Sequence, residues 1–453
     1  MKILQLLPSL HYGDAVGNDA VALHHFLTEE GCDTHIYAEQ IDQRIPDGIA
    51  SSYTKLPVLS AEDIVMYHFA IGSPVMEKIL CSLPAHKFMI YHNITPAKYF
   101  TPYNKIAEEA ADEGRKSLRS MAEFFEYCIA DSAYNKEDLR FEGYTCPIDV
   151  VPIMIPFADY DKDANHLLLE KYQHDEMVNF LFVGRIVPNK KQEDVIKTFA
   201  YYHKNISANS RLFLVGNYQG MELYYQRLVR YAKVLDIADA VFFTGHTSFA
   251  DILAYYRMAD VFLCMSEHEG FCVPLLEAMY FEVPIVACDA AAVSETLGDG
   301  GILVNTRRPD VIAKVIDRVL KDKHLCNTLV RNGKERLKNY SYEIVSQAMG
   351  TYIFAAFEKE PGNFILEKEK KLVQKQLGYQ DKEVNRILST GDTSLGKNLD
   401  DFCNTPIPSI PLKVCFKKKL HGILRIMYHS CARVSPTLAA WIREKLFSGW
   451  NRL

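Results

Sequence analysis

Short apolar runs alternate with amphipathic helical stretches along this chain, and the alternation starts twice. The first series has strand-like runs at 2–7, 34–38, 63–69, 87–92, 127–131 and 149–153, rich in β-branched and aromatic residues. Helical patterns such as 18–30 and 104–125 lie between them. The second series has runs at 179–183, 211–215, 241–244, 260–265, 284–287 and 301–304, separated by stretches such as 192–202 and 249–258. A strand followed by a helix and another strand closes most readily as a right-handed parallel crossover. Two such series predict an α/β protein with two doubly wound, Rossmann-like domains, each a parallel sheet covered by helices on both faces.

At 453 residues the chain is too long for one ordinary core. A polar stretch near 156–175 separates the two series. The reading divides the chain into a first domain at 1–165 and a second at 166–357, closed by three further helical patterns. A charged linker follows at 358–411, then a tail at 412–453. With 48% hydrophobic and 24% charged residues the composition is that of a globular protein. The net charge of −6 argues against a nucleic-acid partner. The eleven cysteines are scattered, with no C-x-x-C pair and no zinc spacing. Several, including Cys128, Cys264 and Cys288, sit inside apolar runs, which fits buried thiols in a reducing cytoplasm. The opening residues are too polar for a signal peptide, and no apolar run reaches the length of a membrane span.

Doubly wound sheets bind ligands at the carboxyl ends of their strands, where the strand order reverses. In the order 3-2-1-4-5-6 that point lies between strands one and four. Applied to the second series, the rule brings together Arg185, Lys190 and the loop after 260–265. Lys191 is an equal rival to Lys190 by chemistry alone. That loop begins the run Ser-Glu-His-Glu-Gly-Phe-Cys-Val-Pro-Leu-Leu-Glu at 266–277. Glu269 stands in the strand-to-helix loop and Glu277 one turn into the helix, with Pro274 at a position where a missing N–H costs nothing. Gly270 lets the backbone turn, and the N–H groups around Phe271, Cys272 and Val273 make an anion site between two carboxylates. A nucleotide diphosphate joined to a sugar matches this pattern: phosphates for the N–H groups and cations, hydroxyls at each end for the acids.

In the first series the same count sets the loop carrying Gly13 and Gly17 beside His92. The two glycines let backbone N–H groups approach a ligand, and His92 can donate a hydrogen bond or move a proton. His68 also follows a strand, but as strand three it should stand away from the reversal, as a structural histidine. Asp14 and Asp19 are cap candidates for the helix that follows.

These residues are recognisable together. Val-Gly-Arg-Ile-Val-Pro-Asn-Lys at 183–190, with Glu269 and Glu277 seven residues apart in their context, resembles the signature of family 4 glycosyltransferases. These are retaining enzymes of the GT-B fold that use nucleotide sugars. The resemblance covers about 1–356 and is strongest between 179 and 304. It implies that Glu269 supports the reacting sugar, that Glu277 binds the ribose, that Arg185 and Lys190 hold the diphosphate, and that His92 meets the donor sugar. It therefore favours Lys190 over Lys191, and it implies neither cofactor nor metal. Many relatives carry Gly-Gly after strand one. Here the loop reads Gly-Asp-Ala-Val-Gly at 13–17, similar to a subset of bacterial polysaccharide and lipopolysaccharide sugar transferases.

The expected function is transfer of a hexosyl group to a glycan or lipid-linked acceptor. The alternatives are a disaccharide synthase and a non-catalytic nucleotide-sugar-binding component of an assembly complex. The tail 412–453 carries nine Lys/Arg against one acid, net +8, leaving −14 on the first 411 residues. Its basic residues interleave with apolar stripes at helical spacing. That composition suits a helix lying on an anionic membrane surface at the cytoplasmic face, or packing on the acidic body of the protein.

Overall fold

The computed structural model describes residues 1–358 apart from Tyr12 and His174. The linker 359–411 and the tail 412–453 lie outside the described residues. Thirteen strands are described: β1 (Lys2–Leu10), β2 (Asp33–Ile41), β3 (Ala50–Ser52), β4 (Ile64–Phe69), β5 (His86–Tyr91), β6 (Tyr127–Ala130), β7 (Ile148–Val150), β8 (Val178–Val183), β9 (Ser210–Val215), β10 (Val241–Gly245), β11 (Val261–Cys264), β12 (Ile285–Cys288) and β13 (Ile302–Val304). They form two sheets, in the orders β3-β2-β1-β4-β5-β6-β7 and β10-β9-β8-β11-β12-β13. Every strand pairing within them is parallel. These are the two doubly wound parallel sheets that the alternation predicts, in the GT-B arrangement that the resemblance implies.

The period of two along each strand sorts side chains onto two covered faces. In the first sheet Ile3, Ile64, Met66, Phe88, Ile90 and Ile129 share one core with Leu23, Phe26 and Leu27 of the helix Ala15–Glu29. Their neighbours Leu4, Leu6, Val65, Tyr67, Met89 and Cys128 share another with Met76, Leu80, Leu118 and Leu139. The second sheet does the same, with Phe180, Phe182, Leu212 and Leu214 on one face and Leu181, Phe213, Phe262 and Ile285 on the other.

Two expectations about the domains need correcting. The last helix, Tyr342–Glu358, follows the second sheet in sequence but buries Val345, Met349 and Ile353 in the core of the first sheet, beside Ile3 and Phe26. Its apolar stripe finds the uncovered face of the first sheet, so it belongs to that domain. The crossover into the second domain also comes earlier than 165. Met154 packs with the first core, while Ile155, Tyr160 and Ala164 already pack with the second.

The third correction moves the ligand-binding point. The short strand β3 carries only three half-buried residues, Ala-Ser-Ser, and gives no apolar signal. Once it is counted, β4 pairs with β1 and β5 stands one place further out. The reversal in the first domain therefore lies between β1 and β4, where His68 sits. The second domain follows the expected count, with β8 beside β11.

Ile353 is fully buried at the contact that fastens the last helix. Ile353→Ala should cost about 2–5 kcal/mol of stability. Chemical denaturation measures it, and a change under about 0.5 kcal/mol, as at a surface position, would refute this anchoring.

Candidate functional site

β11 ends under the loop 265–272, which turns directly into the helix Val273–Tyr280 with Pro274 in its first turn. Asn189, from the loop after β8, holds this turn in place. Its Nδ2 donates to the His268 carbonyl at 3.0 Å, and its own carbonyl accepts from Glu267 N at 2.8 Å. Two loops from adjacent strands are thereby locked together at the reversal, and Lys190 forms an ion pair with Glu269 across them. Burial works against the Lys190 charge, but the Glu269 carboxylate outweighs it and raises its pKa. Glu269 is 6% exposed. Lys191, with φ +53°, points elsewhere and pairs with Glu267 at 3.1 Å and Glu193 at 3.7 Å. The geometry thus separates the two lysines that chemistry alone left equal. Arg185 is exposed at the mouth of the same loop, and its charge acts on Asp14 of the first domain.

Cys272 takes φ +78° just before the helix, so the chain reverses where the helical N–H groups begin. Among the described residues, no protein acceptor meets the N–H groups of Phe271, Cys272 and Val273. One turn on, Glu277 accepts from Tyr160 Oη at 2.9 Å and from Tyr256 Oη at 2.6 Å, one phenol per carboxylate oxygen. Burial pushes its carboxyl up, and the phenols draw it part of the way back. Each oxygen keeps acceptor capacity for a further hydroxyl. Sequence reading missed both tyrosines: Tyr160 lies in the interdomain crossover and Tyr256 on another helix, with no spacing that links them to Glu277.

The first domain meets this loop at Gly270. A Cβ there would lie 2.8 Å from the His92 carbonyl oxygen and 2.8 Å from Asn93 Cβ, so only glycine allows the approach. Ser132 Oγ donates to the Gly270 carbonyl at 2.6 Å, and Asn93 Oδ1 bonds His268 Nε2 at 2.7 Å. Glu295 closes the seam by accepting from the N–H groups of Ala133 (2.8 Å) and Tyr134 (3.3 Å), at the start of the helix Ala133–Glu142. A carboxylate suits that helix end. Ser132, Asn93 and Glu295 carry no motif, and His268 stands inside the 266–277 run without a role legible there; only the folded chain reveals what they touch.

The glycine loop lies on the same side. Gly13 has φ +81°, and a Cβ on Gly17 would stand 2.3 Å from the His11 carbonyl. Of the two cap candidates, Asp14 performs the task, accepting from Gly17 N at 2.5 Å. Asp19 is instead buried within the first turns of the helix and accepts from Met154 N at 2.8 Å. Burial pushes its carboxyl up to about 7.

His92 occupies a different position from the one expected. Its ring is 1% exposed, with Nδ1 2.9 Å from Asp131 Oδ2 and Nε2 2.9 Å from His68 Nδ1. Both nitrogens are engaged inside the domain, so the ring presents neither to the cleft. Its backbone carbonyl, rather than its ring, touches the Glu269 loop. Among the described residues, two clusters have ligand atoms within 4.8 Å of one another: Asp19, His68 and His92, and Cys264, Glu269 and Cys272.

Residues 169–336 match the family model described as glycosyl transferases group 1. The matched segment spans the second sheet, from β8 to β13. It contains Arg185, Lys190, Glu269 and Glu277. Over 217 residues the chain is 26% identical to the capsular polysaccharide biosynthesis glycosyltransferase CapM of Staphylococcus aureus, covering 46% of this chain and 53% of that protein. Over 171 residues it is 29% identical to a Campylobacter jejuni α-1,4-N-acetyl-D-galactosaminyltransferase named for an undecaprenol-linked saccharide, covering 37% and 45%. The chain thus spans about half the length of these curated relatives. Anabaena Alr3699/HepE, solved with UDP and glucose, superposes with a TM-score of 0.61 at 18% identity, over 78% of this chain and 100% of that one. WaaG, a glycosyltransferase involved in lipopolysaccharide biosynthesis, gives 0.58 at 13%, over 78% and 99%. These likenesses show the shared fold. No helix among the described residues is long and apolar enough to cross a membrane.

Gly270→Ala should wedge the seam apart. Small-angle scattering should show a larger radius of gyration, and stability should fall by about 1–3 kcal/mol, as for overpacking. Unchanged scattering would mean that the seam yields without opening.

Proposed function

We propose that this protein is a glycosyltransferase that moves a hexosyl group from a nucleotide-diphosphate sugar to a glycan or lipid-linked saccharide, with retention at the anomeric carbon. The observation that carries this is the convergence of Lys190, Glu269 and Glu277 around the start of one helix, at the reversal point of the sheet in the segment that matches group 1 glycosyl transferases. The names of the Staphylococcus and Campylobacter relatives support the acceptor class.

In this reading the diphosphate lies against the N–H groups at Phe271, Cys272 and Val273, with Arg185 and Lys190 as its cations. As the glycosidic bond breaks, negative charge grows on the leaving diphosphate. Cations fixed in advance stabilise that charge without reorganising. The donor also relieves the Lys190–Glu269 pair: Lys190 turns to phosphate, and Glu269 is left to face the positive charge developing on the sugar. The spare acceptor capacity of Glu277 takes the ribose hydroxyls. Closure at Gly270 brings the first domain, with Gly13 and Gly17, over the donor and keeps out water, which would otherwise hydrolyse it. His92 serves through its carbonyl at the seam, since both ring nitrogens are engaged. No step here calls for a metal or an organic cofactor.

A panel of nucleotide sugars, scored by thermal stabilisation and then by transfer to saccharide acceptors, tests the assignment. Glu269→Ala should lose turnover by ~100-fold or more while the nucleotide still binds. Near-normal turnover would remove Glu269 from the reaction. Glu277→Ala should weaken nucleotide binding by roughly 1.5–3 kcal/mol, as for a hydrogen bond to a charged group, and unchanged affinity would contradict the ribose role. Lys190→Ala should impair donor binding or turnover, and Lys191→Ala should not; the reverse would relocate the diphosphate. Activity should survive a chelator. Nucleotide-sugar binding without transfer to any acceptor would favour the non-catalytic alternative.

A further inference from the structure

Four buried side chains form one chain of hydrogen bonds beneath the glycine loop, and its direction can be deduced. Gln5 Nε2 lies 3.1 Å from the Ala20 carbonyl, which can only accept. The amide nitrogen of Gln5 is therefore on that side, and Oε1, 2.7 Å from His68 Nε2, must accept from it. His68 thus carries its proton on Nε2. Burial, and then the charge of His92, hold its pKa well below the ordinary value, so it is neutral and Nδ1 is an acceptor. The contact of that Nδ1 with His92 Nε2, at 2.9 Å, then requires a proton on His92 Nε2. The two rings are within 9° of parallel, with centroids 5.2 Å apart, the separation of rings joined edge to edge through such a bond. At the far side His92 Nδ1 meets Asp131 Oδ2 at 2.9 Å. A lone pair on each would repel, so a second proton lies there. Imidazole is the stronger base of the two by more than two units in water; burial raises the Asp131 carboxyl, but the His92 charge and hydrogen bond pull it back and His92 is itself raised, so the proton belongs on the ring.

We infer that Gln5 and His68 are positioning residues that hold His92 as a doubly protonated imidazolium, paired with Asp131, beneath the Gly13 and Gly17 turn. The groups around it agree. Burial opposes the His92 charge, but Asp131, then Asp19 and Asp14 on the neighbouring helix, outweigh it and raise its pKa. Asp14 in turn feels His11 and Arg185. A fixed cation here adds positive potential under the turn that covers the donor. It does so from Gln5, at the far end of the chain, with no polar contact from the ring to the ligand. The arrangement also accounts for both histidines without a metal. Every ring nitrogen has a partner of the opposite role.

This inference about protonation rests on hydrogen-bond geometry, and its functional half rests on the transfer reading above. The test is nitrogen NMR of the full chain labelled at the histidine rings, with His92 assigned by difference from His92→Phe. At pH 7.5 His92 should show two protonated ring nitrogens, and His68 one, at Nε2. Gln5→Leu removes the acceptor for His68 Nε2. The His68 proton should then move to Nδ1 and donate to His92 Nε2, so that His92 becomes singly protonated at the same pH. Gln5→Glu keeps the acceptor and should keep the imidazolium. Should Gln5→Leu fail to fold, the wild-type spectrum and Gln5→Glu still decide. A neutral His92 in the wild type, or the same proton count in a folded Gln5→Leu, overturns the proposal. So does one equivalent of Zn²⁺ shifting both rings, which would make the cluster a metal site. For function, a raised His92 pKa means that activity depending on its charge is lost as pH rises through that value. Gln5→Leu should move the alkaline limb of the transfer profile to lower pH. An unmoved limb with transfer intact overturns the positioning role. No transfer by any variant overturns the functional reading alone and leaves the ring measurements standing.

Discussion

The molecule is organised around the missing side chain at Gly270. Because no Cβ stands there, the loop carrying Glu269 reaches the backbone of His92 and Asn93, and two sheets share one crevice. Three further contacts follow from that approach. Ser132 can reach the Gly270 carbonyl, Asn93 can reach His268, and Glu295 can sit at the start of the helix Ala133–Glu142. These bonds are polar, and none is large. Beside them Phe100, Tyr103 and Ala107 of the first domain add a small apolar contact with the second core, and a seam that is otherwise polar suits opening for a ligand and closing again.

The charges at the crevice are stored in pairs. Lys190 and Glu269 neutralise one another in a largely dry setting, where either alone would be costly. Glu277 is satisfied by neutral phenols, which keep both of its oxygens in place without adding charge. The difference suits the two roles assigned to the acids. On the proposed roles, a carboxylate that must respond when a diphosphate arrives is held by a cation that prefers phosphate. A carboxylate that only has to bind hydroxyls is held by hydroxyls.

Most of this architecture was legible because strands of a covered parallel sheet are nearly all apolar, and stand out between amphipathic helices. Twelve of the thirteen strands announce themselves in this way; β3 does not, for it is three small and polar residues at a sheet edge. The cost of that omission fell on function. Position in a doubly wound sheet is a matter of counting, and one missed strand moved the reversal from β4 to β5, and so from His68 to His92. The second domain has no such short edge strand before its reversal, and there the count sets the loops after β8 and β11 side by side, where Lys190 meets Glu269. Tyr160, Tyr256 and Glu295 were beyond reach for another reason. Each acts on a partner over 20 residues away in sequence, through a contact that the packing alone creates.

The miscount also explains why His92 carries a motif position and still turns its ring inward. From β5 the ring cannot touch the turn after β1 directly, because β4 intervenes. His68, on β4, fills that interval and passes the hydrogen bond from Gln5 on β1 to His92. Two strands of offset are thus bridged by one imidazole, and Asp131, at the end of β6, completes the line across four adjacent strands. A single buried charge at the end of such a line is tolerable because its proton is fixed on one side by a directional chain and on the other by a carboxylate. Remove the direction and the charge has no reason to stay. The protonation of the ring nearest the seam is therefore a property of the whole sheet order, set by a glutamine on β1.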